Sequence, residues 1–200
     1  MNLILASKSP RRREILGSLG LSFEVITADT DESCELTDPT LYVKEIAERK
    51  GKAVRDALIA EGKDLSDTII ISADTVVACE GKILGKPHSR EDAEAMLTLL
   101  SGKAHTVISG VALLGVTKAA VCAEVTKVLF TEIDEKELAL YLDSDEPYDK
   151  AGAYAIQGFA SLWISGIEGD YFNVVGFPTH RFSEMLKNEF GVSLASLLTQ

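Results

Sequence analysis

Apolar and polar positions along the chain change between two periodicities, and each change predicts a new strand or helix. Short apolar runs predict buried strands, and apolar residues three or four positions apart predict amphipathic helices. This order is typical of a mixed α/β protein, in which helices surround a twisted mixed sheet, and it predicts a single domain over residues 1–200. The predicted strands cover residues 3–6, 23–27, 68–79, 83–84, 105–116 and 120–130, with short strands around Trp163 and Val174. The predicted helices cover residues 10–20, 39–59, 90–100, 134–142 and 178–190.

The charge balance restricts the partners of this protein. The chain carries 20 Lys and Arg against 31 Asp and Glu, a formal net charge of −11. A negative surface argues against non-specific binding of nucleic acid, which depends on the neutralisation of phosphates. An anionic substrate would need a local cluster of cations that overcomes the overall field.

The cysteines and the apolar stretches indicate a cytoplasmic protein. Cys34, Cys79 and Cys122 are widely spaced and form no Cys-x-x-Cys motif. We therefore expect no disulfide framework and no zinc ribbon, but small buried thiols in a reducing compartment. The apolar stretch at the N-terminus is too short for a signal peptide. The longest uncharged run, residues 151–167, is interrupted by Gln157 and by several Gly and Ser, so no membrane span is predicted.

The first candidate site is the segment Ser7-Lys-Ser-Pro-Arg-Arg-Arg13, where a strand ends and a helix begins. Ser9 is expected as the N-cap and Pro10 as the first helical residue. The four cations of this segment oppose the partial positive charge of the helix N-terminus. A bound anion would remove the conflict, because backbone N–H groups, serine hydroxyls and guanidinium groups together suit phosphate. We favour a phosphate site over a solvated basic turn.

The second candidate is Asp74, the one charged residue in the predicted strand 68–79. A lone carboxylate in a buried strand is costly unless it is paired or binds a metal. Its neighbours in the strand cannot supply such a partner. We favour a functional carboxylate over an Asp that accepts hydrogen bonds from backbone amides beyond the strand.

Four further features are ambiguous from the residues alone. Lys50 lies on the apolar stripe of the long predicted helix, where a functional lysine and one that extends past the core edge are equally compatible. Lys86, in a tight Gly-Lys-Pro turn, and Glu32, in an acidic loop, are more typical of solvated surface. The loop over residues 148–158 holds Gln157 between glycines, and it fits a reader of base or ribose as well as a structural loop.

Several standard catalytic motifs are absent from the sequence. It contains no P-loop, no Gly-x-Gly-x-x-Gly, no His-Glu-x-x-His and no Gly-x-Ser-x-Gly elbow. Kinases with a P-loop, dehydrogenases, zinc proteases and serine hydrolases are therefore disfavoured.

Taken together, these segments resemble the Maf family of nucleotide pyrophosphatases, the septum formation inhibitors. The resemblance runs over nearly the whole chain, and the order and spacing of its motifs are far more specific than any one of them. The motifs are Leu5-Ala-Ser-Lys-Ser-Pro-Arg-Arg12, Ser72-Ala-Asp-Thr-Val76, Leu84-Gly-Lys-Pro87, Asp149-Lys-Ala-Gly-Ala-Tyr154, Ile156-Gln-Gly158 and Val174-Val-Gly-Phe-Pro178.

The resemblance implies hydrolysis of nucleoside triphosphates to a monophosphate and pyrophosphate, with a divalent metal such as Mg²⁺ or Mn²⁺. Asp74 matches the base that activates water. Glu32 matches an acidic residue of the active site and is expected near the metal together with Asp74. The residues expected to bind the phosphates are Ser7, Ser9, Arg11, Arg12, Lys50 and Lys86.

The resemblance also implies the architecture and the preferred base. The expected fold is α/β, with two lobes around a central cleft, as in inosine triphosphate pyrophosphatases, and homodimers are common. One branch of the family has Thr after the catalytic Asp and Gln in the late loop, and it prefers dTTP and UTP. Another branch has Gln and Glu at these places and prefers 7-methyl-GTP. Thr75 and Gln157 match the pyrimidine branch, and Arg11 is expected either at the base or at the phosphates.

Two alternatives belong to other functional classes. The first is a nucleotide-binding regulator of cell division that acts without hydrolysis, but a pure binder has no need of a buried Asp74. The second is a nucleic-acid-binding module built on the basic turn, which the net charge of −11 opposes. We therefore expect an enzyme with neither nucleic acid nor membrane as a partner.

Overall fold

The computed structural model describes residues 1–198, and within them it contains one seven-stranded sheet. The strand order is β2-β1-β3-β5-β6-β7, and β4 pairs with β3 beside this path. β1 runs parallel to β2 and to β3, whereas β4 is antiparallel to β3 and β7 is antiparallel to β6. The sheet is therefore mixed, as the sequence predicts. The strands are β1 (Asn2–Leu5), β2 (Glu24–Val25), β3 (Thr68–Cys79), β4 (Lys82–Leu84), β5 (Ala104–Leu114), β6 (Ala119–Phe130) and β7 (Ile164–Glu168).

Helices flank this sheet, which confirms the α/β class. Among the described residues, three short 3₁₀ helices, Pro147–Asp149, Ala151–Ala153 and Phe159–Trp163, precede β7. The α-helices of the described residues are α1 (Pro10–Ser18), α2 (Pro39–Ala60), α3 (Arg90–Leu100), α4 (Glu135–Leu142), α5 (Tyr171–Val175), α6 (Thr179–Phe190) and α7 (Leu194–Leu198).

Local capping determines where the helices that matter for the site begin. Asp38 caps α2 with its side chain, because Oδ1 accepts hydrogen bonds from the N–H groups of Thr40 and Leu41 at 2.8 and 2.9 Å. Ser89 caps α3 through a hydrogen bond that its Oγ accepts from Asp92 N at 3.2 Å. Such caps act within three residues, and for this reason the sequence predicts both starts correctly.

Three predictions differ from the structure. The strand expected around Val174 is wrong, because this residue lies in α5. Asp170 turns the chain into that helix by accepting hydrogen bonds from Phe172 N and Asn173 N at 2.7 and 3.3 Å. The second strand is shorter than the predicted 23–27, and α7 has no counterpart in the sequence prediction.

The chain forms two compact units, each with its own hydrophobic core. Unit 1 comprises residues 1–74, 109–124 and the described residues from 176 onward, and unit 2 comprises residues 75–108 and 125–175. β3, β5 and β6 contribute residues to both units. The core of unit 1 includes Ile4, Ala47, Val54, Ile70 and Leu114. The core of unit 2 includes Val77, Leu97, Phe130, Tyr154 and Trp163.

The three cysteines are free thiols. Cys79 is buried, whereas Cys34 and Cys122 are only partly buried, so the expectation of buried thiols is met fully at Cys79 alone. The Cys122 Sγ donates a hydrogen bond to the Met185 sulfur at 3.0 Å, and burial raises the pKa of this thiol to about 11. Cys122 therefore stays protonated at neutral pH and has no thiolate character.

In unit 1, α2 packs closely on the sheet because glycines line the contact. A Cβ added at Gly110 of β5 would lie 2.2 Å from the Val43 carbonyl oxygen of α2. A Cβ added at Gly51 would lie 2.7 Å from the Ser72 Oγ of β3. Any larger side chain at Gly110 must push backbone away from backbone, which no rotamer change can relieve.

We expect Gly110→Ala to lower the free energy of unfolding by about 1–3 kcal/mol, because α2 must move away from β5. Denaturant unfolding monitored by circular dichroism measures this change. Gly17→Ala in α1 is the matched control, since no atom lies within 4 Å of an added Cβ there and its φ is not positive. The control variant is expected to be at least as stable as the wild type, because Ala favours the helix more than Gly does. An equal loss in both variants would contradict the packing argument.

A buried histidine lies in the core of unit 2. His105 is 3% exposed, and its Nε2 forms a hydrogen bond of 2.7 Å with the hydroxyl of Tyr154. The Phe130 ring packs edge-on against the imidazole, with ring centroids 4.8 Å apart. The Nδ1 atom has no hydrogen-bond partner within residues 1–198. Burial lowers the pKa of His105 from 6.5 to about 4, because the charged imidazolium would be desolvated.

This shift predicts a pH dependence of stability. Below pH 6.5 the unfolded chain binds a proton at His105, whereas the folded chain binds it only below about pH 4. His105 therefore destabilises the fold as the pH falls through this window, by about 3 kcal/mol at most. We expect His105→Gln to flatten the slope of unfolding free energy against pH between these values. An unchanged slope in His105→Gln would contradict this prediction.

Candidate active site

The partner of Asp74, which the sequence leaves unidentified, is Lys50 of α2. The Lys50 Nζ lies 2.8 Å from Asp74 Oδ1 and 3.0 Å from Glu32 Oε2. The side chains of Lys50 and Asp74 are 19% and 13% exposed, while Glu32 is exposed. One ammonium group thus bridges two carboxylates that are 42 positions apart in the sequence. Asp74 therefore pairs with a side chain and is not an Asp that is bonded only to backbone amides.

A buried hydrogen bond fixes this pairing in register. The Ser72 Oγ of β3 donates to the Ala47 carbonyl of α2 at 2.6 Å. Ser72 lies two residues before Asp74, and Ala47 lies three residues, about one helical turn, before Lys50. The close approach at Gly51 brings helix and strand near enough for the lysine to reach the carboxylate. Helix packing on the sheet thus positions Lys50 against Asp74.

Arg12 joins the start of α1 to the same strand. Its Nη1 donates to the Ala73 carbonyl at 2.8 Å and to Ser7 Oγ at 3.2 Å, and its Nε donates to the Gly176 carbonyl at 3.0 Å. Burial lowers the pKa of this guanidinium, while the negative charge of Asp74 acts in the opposite direction. Arg12 therefore donates to two carbonyl oxygens and one hydroxyl oxygen, and it places a positive charge near Asp74.

The N-terminus of α1 has the features of an anion site. Ser9 is the N-cap and Pro10 is the first helical residue, as the sequence predicts, but the Ser9 side chain does not cap the helix. The first turn contains no acidic residue. Ser7 Oγ accepts a hydrogen bond from Ser9 N at 3.2 Å, which orients the turn. Arg11 follows, half-buried, and its charge lowers the pKa of the neighbouring Arg12.

Sequence reasoning missed two residues near the acidic loop and the carboxylates, Arg49 and Tyr42. The Arg49 Nη1 donates to the carbonyls of Asp31 and Ser33, both at 2.8 Å, and so holds the main chain on either side of Glu32. Tyr42 has a raised pKa, because burial and then the negative charges of Asp74 and Glu32 disfavour its phenolate. Tyr42 and Arg49 are seven residues, about two turns, apart on α2, so they lie on one face of the helix. Lys50 directly follows Arg49, so this spacing along α2 was the signal that the sequence offered for both residues.

In unit 2, the turn that carries Lys86 is joined to the late loop. Gly152 N donates to the Gly85 carbonyl at 2.9 Å, and Lys86 itself is exposed. Gly152 and Ala153 have φ values of +67° and +62°, two successive left-handed residues in a buried turn. A Cβ at Gly152 would lie 2.8 Å from Val77 Cγ2 of β3. Such strain is maintained only where the surroundings enforce it, as at ligand-binding loops.

The two residues expected to select the base also belong to unit 2. Thr75 is half-buried and directly follows Asp74 in β3. Gln157 is exposed, and its side-chain amide has no hydrogen-bond partner among residues 1–198. The predicted site residues of unit 1 are Ser7, Ser9, Arg11, Arg12, Glu32, Lys50 and Asp74, and those of unit 2 are Thr75, Lys86 and Gln157.

The two carboxylates around Lys50 fit a metal that takes its remaining ligands from a substrate. Residues 1–198 contain no group of three or more His, Cys, Asp or Glu that could hold a metal alone. Glu32 and Asp74 nevertheless direct two carboxylates at one cationic position, which Lys50 Nζ marks. Mg²⁺ is commonly bound by one or two carboxylates together with substrate phosphates and water.

Among residues 1–198, no helix combines the length and the hydrophobicity that a membrane span requires.

Comparisons with known proteins agree on one family. Residues 2–189 match the family model described as Maf-like protein. A protein of Alkaliphilus oremlandii named dTTP/UTP pyrophosphatase is 47% identical over 196 residues, which cover 96% of this chain and 98% of the relative. Proteins of the same name from Caldanaerobacter subterraneus and Thermococcus onnurineus are 44% and 43% identical. These matches cover 96% and 95% of this chain, and 91% and 99% of the relatives.

Proposed function

The chain belongs to the family of Maf-like proteins, and from this premise we propose that it hydrolyses dTTP and UTP to the monophosphate and pyrophosphate. The observation that carries the proposal is the group formed by Asp74, Lys50 and Glu32 beside Arg12. Attack of water on a phosphorus needs a base and positive charge close to the phosphates. The half-buried carboxylate, the second carboxylate and the two cations of this group supply them. The names of the relatives supply the substrate class.

Asp74 acts as the general base. In the reaction, the oxygen of a water forms a bond to the α-phosphorus, the bond from this phosphorus to the bridging oxygen breaks, and pyrophosphate leaves with the electron pair. Asp74 accepts the proton that the water loses. Its low exposure excludes most solvent, and its contact with Lys50 sets the direction in which its oxygens point. Pre-organisation of this kind removes much of the entropic barrier.

Glu32 and Asp74 would hold the divalent cation, Mg²⁺ or Mn²⁺, together with phosphate oxygens of the substrate. The bound cation would neutralise charge on the phosphates and lower the pKa of the attacking water. The part of this chain is to keep the two carboxylates together. Lys50 does so by pairing with both, and Arg49 does so by holding the main chain around Glu32.

The phosphates are bound by backbone and side-chain donors. Backbone N–H groups at the start of α1 and the Ser9 hydroxyl suit phosphate oxygens. Arg11 and Lys86 add charge, while Arg12 and Ser7 shape the turn. These cations compensate locally for a net charge of −11, whose long-range effect is screened within about 10 Å at moderate ionic strength.

Release of pyrophosphate from dTTP, UTP, CTP and GTP with Mg²⁺ or Mn²⁺ tests the function directly. We expect turnover of dTTP and UTP that stops when the metal is chelated. Binding of these nucleotides without turnover would instead support the non-hydrolytic regulator of cell division. We further propose a cytoplasmic enzyme that forms homodimers, and light scattering of the purified protein tests its oligomeric state.

Removal of single phosphate-binding cations should separate binding from folding. We expect Lys86→Ala to lower kcat/KM for dTTP by about 10-fold to 100-fold, the effect of one lost charge-assisted contact. Because Lys86 is exposed, the melting temperature should not change. Arg12→Ala should lower both kcat/KM and stability, since three oxygen acceptors lose their donor.

The exposed Lys82 of β4 provides the matched control. Lys82→Ala should leave both kcat/KM and the melting temperature at their wild-type values. Unchanged kcat/KM in Lys86→Ala and in Arg12→Ala would exclude the proposed phosphate site.

A further inference from the structure

We propose that Glu146 is a positioning residue for base selection, whose carboxylate fixes the turn that carries Gln157. The inference rests on the proposed function, because it assumes that Gln157 reads a uracil or thymine ring. The position of Gln157 would then be set by a residue outside the Ile156-Gln-Gly158 motif. All the groups involved belong to unit 2.

Both oxygens of the Glu146 carboxylate accept hydrogen bonds from residues around the turn. Oε1 accepts a hydrogen bond from the hydroxyl of Tyr141 at 3.2 Å, and Oε2 accepts one from Phe159 N at 3.1 Å. Tyr141 is 2% exposed, and its ring stacks on Phe159 with centroids 5.9 Å apart and planes 24° apart. A buried tyrosine of α4 and the start of a 3₁₀ helix are therefore joined through one carboxylate.

The residue after Gln157 packs directly against this carboxylate. A Cβ at Gly158 would lie 1.9 Å from Glu146 Oε1, so only glycine lets the main chain come so close. Gly158 N donates to the Ala155 carbonyl at 3.3 Å, which closes a turn around Gln157. The carboxylate thus contacts the end of the turn whose middle carries the proposed base reader.

Glu146 is itself firmly held. Its N–H donates to Ser144 Oγ at 3.2 Å, and its carbonyl accepts a hydrogen bond from Lys150 Nζ at 2.6 Å. The Tyr148 hydroxyl donates to the Leu142 carbonyl at 2.6 Å, which ties the same segment to the end of α4. Hydrogen bonds therefore run from α4 through Glu146 to the Gln157 turn.

This arrangement has a consequence for selectivity that ordinary packing lacks. The Gln157 amide is exposed and has no partner among the described residues, so its position depends on the backbone beneath it. A displacement of about 1 Å would misalign the amide with a ring N3–H or carbonyl but would leave the phosphate-binding residues in place. Loss of the carboxylate should therefore reduce discrimination between uracil or thymine and cytosine.

The test compares four variants by kcat/KM for dTTP, UTP and CTP and by melting temperature. Glu146→Leu removes both hydrogen bonds, and we expect the dTTP-to-CTP ratio to fall by about tenfold or more. Glu146→Gln can rescue selectivity, since its amide oxygen can accept from Phe159 N while its amide nitrogen donates to the Tyr141 oxygen. Tyr141→Phe removes one of the two bonds and should give an intermediate ratio. Asp145→Asn, at the exposed neighbouring carboxylate, is the control with a wild-type ratio.

A merely structural role of Glu146 predicts that Glu146→Leu lowers kcat/KM for all three substrates by the same factor, and this result would overturn the inference. If Glu146→Leu does not fold, Tyr141→Phe decides, because an unchanged ratio in that variant would equally overturn it. Gln157→Glu is measured in the same series. A changed ratio in Gln157→Glu with an unchanged ratio in Glu146→Leu rejects only the positioning role. Unchanged ratios in both reject base reading by Gln157, and a wild type without turnover rejects the proposed function itself.

Discussion

Asp74→Asn is expected to lower kcat for dTTP by about 100-fold or more while the protein remains folded. The amide has nearly the same shape as the carboxylate, but it cannot accept a proton from water and holds a cation poorly. The fold should survive because Lys50 keeps its second partner, Glu32, at 3.0 Å. Pyrophosphate release under saturating substrate measures kcat, and circular dichroism with thermal unfolding measures the fold.

An exposed carboxylate on α2 supplies the comparison for this variant. Asp56 is 66% exposed and, within residues 1–198, pairs with its neighbour Arg55, so Asp56→Asn should keep wild-type kcat. A kcat for Asp74→Asn within a few fold of the wild type would remove Asp74 from the mechanism. A large loss of melting temperature would instead show that the pair with Lys50 serves mainly to stabilise unit 1.

Gln157→Glu is expected to lower kcat/KM for dTTP and UTP by about 100-fold, with much smaller changes for CTP and GTP. Uracil and thymine present a carbonyl at position 4 and an N3–H donor, whereas cytosine presents an amino group and a bare N3. A glutamine amide can both accept from N3–H and donate to a carbonyl, but a carboxylate can only accept. The variant therefore faces a ring carbonyl with a second acceptor, and neither oxygen then has a hydrogen-bond donor.

The four nucleotides act as internal controls for this variant, since a general loss of activity lowers all values equally. Relative kcat/KM values that stay as in the wild type would show that Gln157 does not read the base. Arg11 is the second candidate reader, because a guanidinium can only donate and would favour a carbonyl on the ring. Under that outcome, Arg11→Lys is the next variant to compare across the same nucleotides.

Much of the fold could be predicted because its signals are local. The cap at Asp38, the proline that follows it and the apolar spacing along α2 lie within a few turns of chain, and they predict this helix almost to its ends. The apolar run of β3, in which Asp74 is the one charged residue, likewise predicts both its bounds. The strand expected around Val174 is wrong because Asp170, whose side chain caps α5, outweighs the β propensity of two adjacent valines.

The amino-acid sequence by itself determined the class of the protein, the elements that carry the motifs, and the identity of Asp74 as a carboxylate that needs a partner. Only the tertiary structure decided which partner this is. Lys50 lies 24 residues away, and it reaches Asp74 because Gly51 and Gly110 let α2 pack closely on the sheet. The supports of Glu32 by Arg49 and of the Gln157 turn by Glu146 were equally hidden. Hydrogen bonds between distant segments depend on packing, and no periodicity along the chain encodes them.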